Sequence, residues 1–298
     1  MTDPKGTFDE QYFQELFGNV SNLPTLPVVV TRLVSLVEDP ETTAQDVNRV
    51  ITQDPSLTAK VLKIVNSAFY GFSREISTVT EAVVILGFDA IKSLALSASV
   101  LDVFGSKSVP GFDMVGLWKH SIATGIGAEI VARWDRYPNP EEVLVSGILH
   151  NIGKMLLDLS APGELRKILS YAEQEQCSLY EAELETLGTG HPEIGAWLTK
   201  KWNLPENIVN GIRYYRSPLK APEEYRQLPL FIHVGDVMAR VKDVGWSGDS
   251  ATPNFQEEVW QALDIDEEDT EMLLEKMEKN LDKADELINL VVDSERSG

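Results

Sequence analysis

Four histidines stand in the 298-residue chain, His120, His150, His191 and His233, all in its second half. Histidine is the commonest side-chain metal ligand. Histidines and aspartates borne on separate helices can converge inside a bundle to hold a cation. His233 lies three residues before Asp236, so a helix would put both on one face. There His233 is a local ligand, a partner that orients Asp236, or a buried histidine bonded to backbone. On spacing alone, core or surface histidines are the ordinary reading of all four. The lone cysteine, Cys177, makes neither an internal disulfide nor a Cys-based zinc cluster and reads as a bystander at a helix exit.

The elements that must position these residues are helical. Apolar residues recur at i, i+3, i+4 and i+7 through most of the chain. Val29, Leu33 and Val37 form one such stripe, and AQDVNRVITQ (44–53) follows behind a Thr42 or Thr43 cap. Asp54-Pro55 ends that helix, because the residue before proline is pushed out of the α region, and the next runs from Leu57 to Asn66. Further helices are expected in TEAVVILG, FDAIKSLALSASVLDVF, DMVGLWKHSIATGIGAEIVARW, PEEVLVSGILHNIGKMLLDL, APGELRKILSYAEQEQ, HPEIGAWLTKKW, ENIVNGIRYYRS and LPLFIHVGDVMARVKDVG. Gly- and Pro-rich breaks separate them. The fold class is therefore all-α. The best internal division is GSKSVPGFD (105–113). The charge-dense tail carries Leu273, Met277, Leu281, Leu287 and Val291 at helical spacing.

Lys and Arg number 26 against 47 Asp and Glu, a formal net charge of −21. A field of that sign repels nucleic acid and anionic lipid at long range, which disfavours a nucleic-acid-binding role. No apolar run reaches the ~18 residues of a membrane span. The N-terminus has no basic region followed by an apolar one, so no secretory signal is expected. The expected location is cytoplasmic.

The surroundings of His150 are more specific than the spacing. LVSGILHNIGKMLL is an apolar helix interrupted by His-Asn, then Gly-Lys. It resembles the HD-superfamily segment, where the same place reads His-Asp followed by Ile-Gly-Lys. The N-terminal half carries Leu23-Pro24, Leu26-Pro27, Asp54-Pro55, Asn66-Ser67-Ala68 and Ile85-Leu86-Gly87. Together, from about residue 20 to about 245, the chain resembles the HDOD (HD-related output) domain of bacterial signalling proteins. The resemblance implies a multi-helix HDOD domain with an HD-like bundle as its second half. The expected organisation is an N-terminal extension (1–20), an N-terminal helical half (21–108), an HD-like half with the His/Asp pocket (109–250) and an acidic helical extension (251–298).

The resemblance also implies a ligand set. His120 stands for the first histidine, His150 and Asn151 for the His-Asp pair and Asp236 for the later aspartate. His191 matches a further histidine of the two-metal HD-GYP phosphodiesterases. Lys154 matches a lysine near substrate phosphate; otherwise it is a helix-end lysine facing solvent or pairing with Asp158. Two departures weigh against turnover. Asn151 replaces a carboxylate with a neutral amide, a poorer ligand for a divalent ion. RYYRSP puts Tyr214 and Tyr215 where HD-GYP proteins have paired histidines, and no Gly-Tyr-Pro occurs. The expected function is a non-catalytic output module, stand-alone and meeting signalling partners in trans. Its degenerate pocket would hold one divalent transition-metal ion, with Fe, Mn, Zn and Ni not distinguished. The alternative is a metal-dependent phosphohydrolase acting on a nucleotide or cyclic dinucleotide.

The physical reading of the other motifs is blander. Asp54, Ser56, Asn66 and Ser67 cap helix ends, and Gly71 and Gly87 allow turns. Phe69, Tyr70 and Phe72 are packing, or a partner patch if exposed.

Overall fold

Local capping chemistry sets the helix boundaries in the computed structural model, which describes residues 10–18, 23–37, 41–104, 108–249 and 256–284. The first half runs α1 (Glu10–Phe17), α2 (Val28–Val37), α3 (Ala44–Ile51), α4 (Pro55–Val65), α5 (Val79–Leu86) and α6 (Phe88–Val103). Thr43 opens α3 through a reciprocal capping box with Asp46. Asp54 accepts from the backbone N–H groups of Ser56 and Leu57 and so starts α4 one residue before its proline. Asn66 closes α4 and ties it to the following segment. Its Nδ2 donates to Leu62 O and Ile76 O, and its Oδ1 accepts from Ile76 N. Capping thus accounts for Asp54 and Asn66, whereas the buried Ser67 Oγ has no hydrogen-bond partner. Gly71 and Gly87 take φ of +64° and +88°, as their turns require. Phe69, Tyr70 and Phe72 are half-buried against the core, which favours packing over an exposed patch.

The second half runs α7 (Met114–Trp134), α8 (Pro140–Leu149), α9 (Ile152–Ser160), α10 (Pro162–Glu175), α11 (Leu179–Leu187), α12 (His191–Lys201), α13 (Glu206–Tyr214), α14 (Gln227–Val241), α15 (Glu257–Ala262) and α16 (Glu267–Leu281). No strand occurs among the described residues. The all-α expectation holds.

Several expectations change in detail. The single helix expected over 140–159 breaks at His150-Asn151 into α8 and α9. By length and mean hydropathy (1.2 over its most apolar window) the segment Pro140–Ser160 is apolar enough to cross a membrane, but polar residues interrupt it at the break, and 89% of that window is buried inside the fold. Two helices escape the periodic reading. Of these, α11 starts on a Ser178–Glu181 capping box, and α1 lies in the expected N-terminal extension. Phe13 and Phe17 of α1 stack on Trp197 of α12 at ring distances of 5.0 and 5.7 Å. Tyr12 Oη donates to Leu187 O at 2.5 Å.

One continuous apolar core runs from Phe13 through the first-half helices to Ile212 of α13. A second cluster joins α7 and α14 to Val259, Trp260, Leu273 and Met277 of the C-terminal helices. Those helices pack on the bundle; Leu287 and Val291 lie outside the described residues.

Candidate metal centre

Glycines let three helices approach closely at the middle of the second half. A Cβ on Gly147 of α8 would lie 2.5 Å from the Cα of Gly125 in α7. A Cβ on Gly235 of α14 would lie 2.5 Å from Thr124 O and 2.6 Å from Ala128 N of α7. With hydrogen there, α8 and α14 seat against α7 at backbone contact. That seating brings His120 (α7), His150 (the end of α8) and Asp236 (α14) together, all buried, with one ligand atom from each within 4.8 Å of the others. Metal bonds of ~2.0–2.2 Å can bridge such a group.

The hydrogen bonds define each ring's tautomer. His150 Nδ1–H donates to Gly147 O at 2.5 Å, which leaves Nε2 as a lone pair. Asn151 Nδ2–H donates to that Nε2 at 2.8 Å. His120 Nε2–H donates to Asp236 Oδ1 at 2.9 Å. Burial holds His150 neutral, its pKa pushed down to about 3. Burial alone would raise Asp236, but the Arg240 guanidinium and the His120 hydrogen bond hold it well below the usual carboxylate range. Arg240 Nε lies 3.2 Å from that carboxylate.

These donors fit one cation in part. Two imidazole nitrogens and a carboxylate suit a divalent transition ion. Asn151 Oδ1 is buried and has no hydrogen-bond partner. Turning the amide would aim that oxygen at the His150 lone pair, an arrangement that only a cation between them stabilises. Binding must therefore remove the His120 Nε2 proton, turn Asn151 and compete with Arg240.

His191 is not in the group of three. Its Nδ1–H donates to Glu183 Oε2 at 2.6 Å, and Tyr215 Oη donates to its Nε2 at 2.5 Å. Both ring nitrogens are taken. Burial holds His191 neutral and pushes the Glu183 carboxyl up to about 8. The Tyr215 ring stands between the two histidines, 4.8 Å from His150 and 6.0 Å from His191.

Lys154 neither faces solvent nor pairs with Asp158. It is 1% exposed and donates to Ser247 O at 2.7 Å, and burial pushes its pKa down. Asp158 instead accepts from Val109 N. His233 takes the bland reading: its Nδ1–H donates to Tyr215 O at 2.9 Å. Cys177 is half-buried and unpaired in any disulfide.

Sequence reasoning missed Arg216, Arg240, Asp249, Glu183 and the burial of Tyr215. The i,i+4 spacing of Asp236 and Arg240 was the one signal available for any of these.

The HDOD domain family model matches residues 23–218. The chain is 28% identical over 229 residues to an uncharacterized protein of Treponema pallidum (strain Nichols), a match over 75% of this chain and 43% of that protein, so the chain spans less than half the length of that curated relative. Among solved structures it is similar to an HDOD domain protein with unknown function from Geobacter sulfurreducens, at 23% identity, 95% and 96% coverage and a TM-score of 0.73. It is likewise similar to a candidate phosphohydrolase from Shewanella amazonensis SB2B, at 26% identity, 95% and 98% coverage and a TM-score of 0.73.

Proposed function

The chain belongs to the HDOD domain family, and from that premise we propose that it is a bacterial signalling output module that acts by protein contact, without turnover, and holds one divalent transition-metal ion at most. The observation that carries this reading is the hydrogen bond from Asn151 Nδ2 to His150 Nε2. Where a hydrolytic centre of this type needs a carboxylate, the chain offers an amide, and one N–H of that amide already occupies the neighbouring ligand. Arg240 supplies Asp236 with the positive charge that an ion would otherwise bring. His120, His150 and Asp236 are the ion's ligands, with Asn151 turned to join them. His191 is committed to Glu183 and Tyr215, so a second ion lacks donors. The partner is a signalling protein supplied in trans, in the cytoplasm.

A second reading, metal-dependent phosphohydrolysis, is favoured by the close triad and by the name carried by the Shewanella amazonensis relative. A bound divalent ion there would supply Lewis acidity and an activated water.

Elemental analysis of purified, chelator-treated and metal-reloaded protein separates the two. The proposal expects at most one transition-metal ion per chain and no phosphoester hydrolysis. Phosphoester hydrolysis by the reloaded protein, with one ion per chain or two, would contradict it.

A further inference from the structure

Beside the triad two arginines converge on one aspartate, an arrangement of which the reading above uses only Arg240. Arg216 Nη1 and Arg240 Nη2 both donate to one oxygen, Asp249 Oδ2, at 3.2 and 3.0 Å. The Asp249 side chain is 1% exposed. The Tyr180 ring backs the Arg216 guanidinium at 4.3 Å. These four residues, with Ser178 and His233, line a cavity of about 450 Å3, within the ~300–1,000 Å3 range of small-ligand sites.

Two other carboxylates line the cavity, and both are committed. Glu181 accepts from Ser178 N and Oγ at the start of α11. Asp236 accepts from His120 and Arg240. Asp249 alone sits between two guanidiniums, the position a bound oxyanion takes. It arrives on the strap 244–249, which is pinned by Trp246 N to Gly116 O (2.8 Å), by Lys154 Nζ to Ser247 O (2.7 Å) and by Leu179 N to Asp249 Oδ1 (2.9 Å).

An independent observation points to a ligand. His233 is 4% exposed and lines the cavity, and its Nε2 has no hydrogen-bond partner. Because Nδ1–H donates to Tyr215 O, the unpartnered Nε2 is an acceptor. That nitrogen is itself closed to solvent, so a ligand donor reaches it only with a shift of the ring; buried acceptors without partners are costly, and a ligand that carries a hydroxyl as well as an oxyanion would satisfy it. A phosphate group protonated on one oxygen offers both; sulfate at neutral pH offers only the oxyanion.

We propose that this cavity binds a phosphate-bearing small molecule, whose oxyanion replaces Asp249 Oδ2 between Arg216 and Arg240 and whose hydroxyl donates to His233 Nε2. Asp249 is then an internal anion that keeps the seat filled until ligand arrives, and its displacement releases one anchor of the strap. The inference does not depend on an ion in the triad.

The test is calorimetric titration with inorganic phosphate in the presence of a chelator, which keeps its outcome separate from that of metal binding. Asp249→Asn preserves an oxygen for Leu179 N and removes the competing charge. It should bind phosphate at least about tenfold tighter than the parent chain, with a smaller gain for sulfate. Adding Arg216→Gln should abolish the gain. An Asp249→Asn protein that melts like the parent yet binds phosphate within about twofold of it would overturn the proposal. Equal gains for sulfate and phosphate would overturn the role of His233. Should Asp249→Asn not fold, the His233 ring resonances of the parent chain serve instead. Saturating phosphate should move them in the parent and not in Arg216→Gln, and unmoved resonances in the parent overturn the proposal.

Discussion

Asn151 donates its Nδ2–H to His150 Nε2 at 2.8 Å, so the chain itself fills the lone pair that an ion would take. Asp236 meets the same fate from the other side, between His120 and Arg240. His150 Nε2 and the Asp236 carboxylate are thereby partnered without a cation, and only Asn151 Oδ1 is left over, whereas a ligand set rich in carboxylates would repel itself until one bound.

Asn151→Asp should reverse that balance. The substitution replaces a hydrogen-bond donor by a carboxylate beside His150 and Asp236, and it adds one negative charge to a buried group. Affinity for a divalent transition ion should rise by at least about tenfold, worth ~1.4 kcal/mol, in calorimetric titration with Mn2+ or Zn2+. Without an ion the variant should melt below the parent chain, because two buried carboxylates then share one site.

The helix seating makes a second prediction. Gly235→Ala would put a methyl group 2.5 Å from Thr124 O and 2.6 Å from Ala128 N, both backbone atoms that cannot swing away. It should cost ~1–3 kcal/mol in denaturant unfolding and weaken whatever ion binding the triad has. Gly163→Ala, in the first turn of α10 with nothing within 4 Å of the new Cβ, should be neutral or stabilise by up to ~1 kcal/mol.

Much of the architecture is legible in the sequence, because helical periodicity and capping are local. The Asp54-Pro55 stop and the Thr43 cap sit where the residues put them. The triad was reached through resemblance, since nothing in the spacing of His120, His150 and Asp236 declares that they meet. What the sequence does not reveal depends on distant partners. His191 matches a ligand motif, yet Glu183 and Tyr215 claim its ring. Lys154 reads equally as a phosphate contact or as a helix-end lysine, and the fold buries it against Ser247 O of the strap. Arg216 and Asp249 look like ordinary loop charges until the fold brings them to 3.2 Å. Two missed helices did carry local signals: the Ser178–Glu181 box of α11 and the Phe13/Phe17 pair of α1.

That aromatic pair yields a third prediction. Since Phe13 and Phe17 are buried and stacked on Trp197, α1 is part of the core. Phe13→Ala should destabilise by ~3 kcal/mol or more, measured by chemical denaturation. A change below ~0.5 kcal/mol, the scale of a surface substitution, would mean that α1 does not dock.

Acid should unfold the protein early. Burial lowers the pKa of His191 and of His233 below the ordinary histidine value. Above pH ~6.5 both are neutral in the folded and unfolded chains, and their contribution is level. Below it the unfolded chain takes up protons that the folded chain refuses. Stability then falls by up to ~1.4 kcal/mol per pH unit for each histidine. Denaturant midpoints compared at neutral and mildly acid pH should show the loss, and His233→Gln should make the dependence shallower.

The central claim is that the pocket does not turn over phosphoesters. The most direct measurement is phosphate or nucleotide release from mononucleotide and cyclic dinucleotide substrates, by protein reloaded separately with Mn, Fe, Zn and Ni. The account predicts no release above that of a His150→Ala control with any metal. Metal-dependent release that His150→Ala abolishes would contradict it and make this chain a hydrolase.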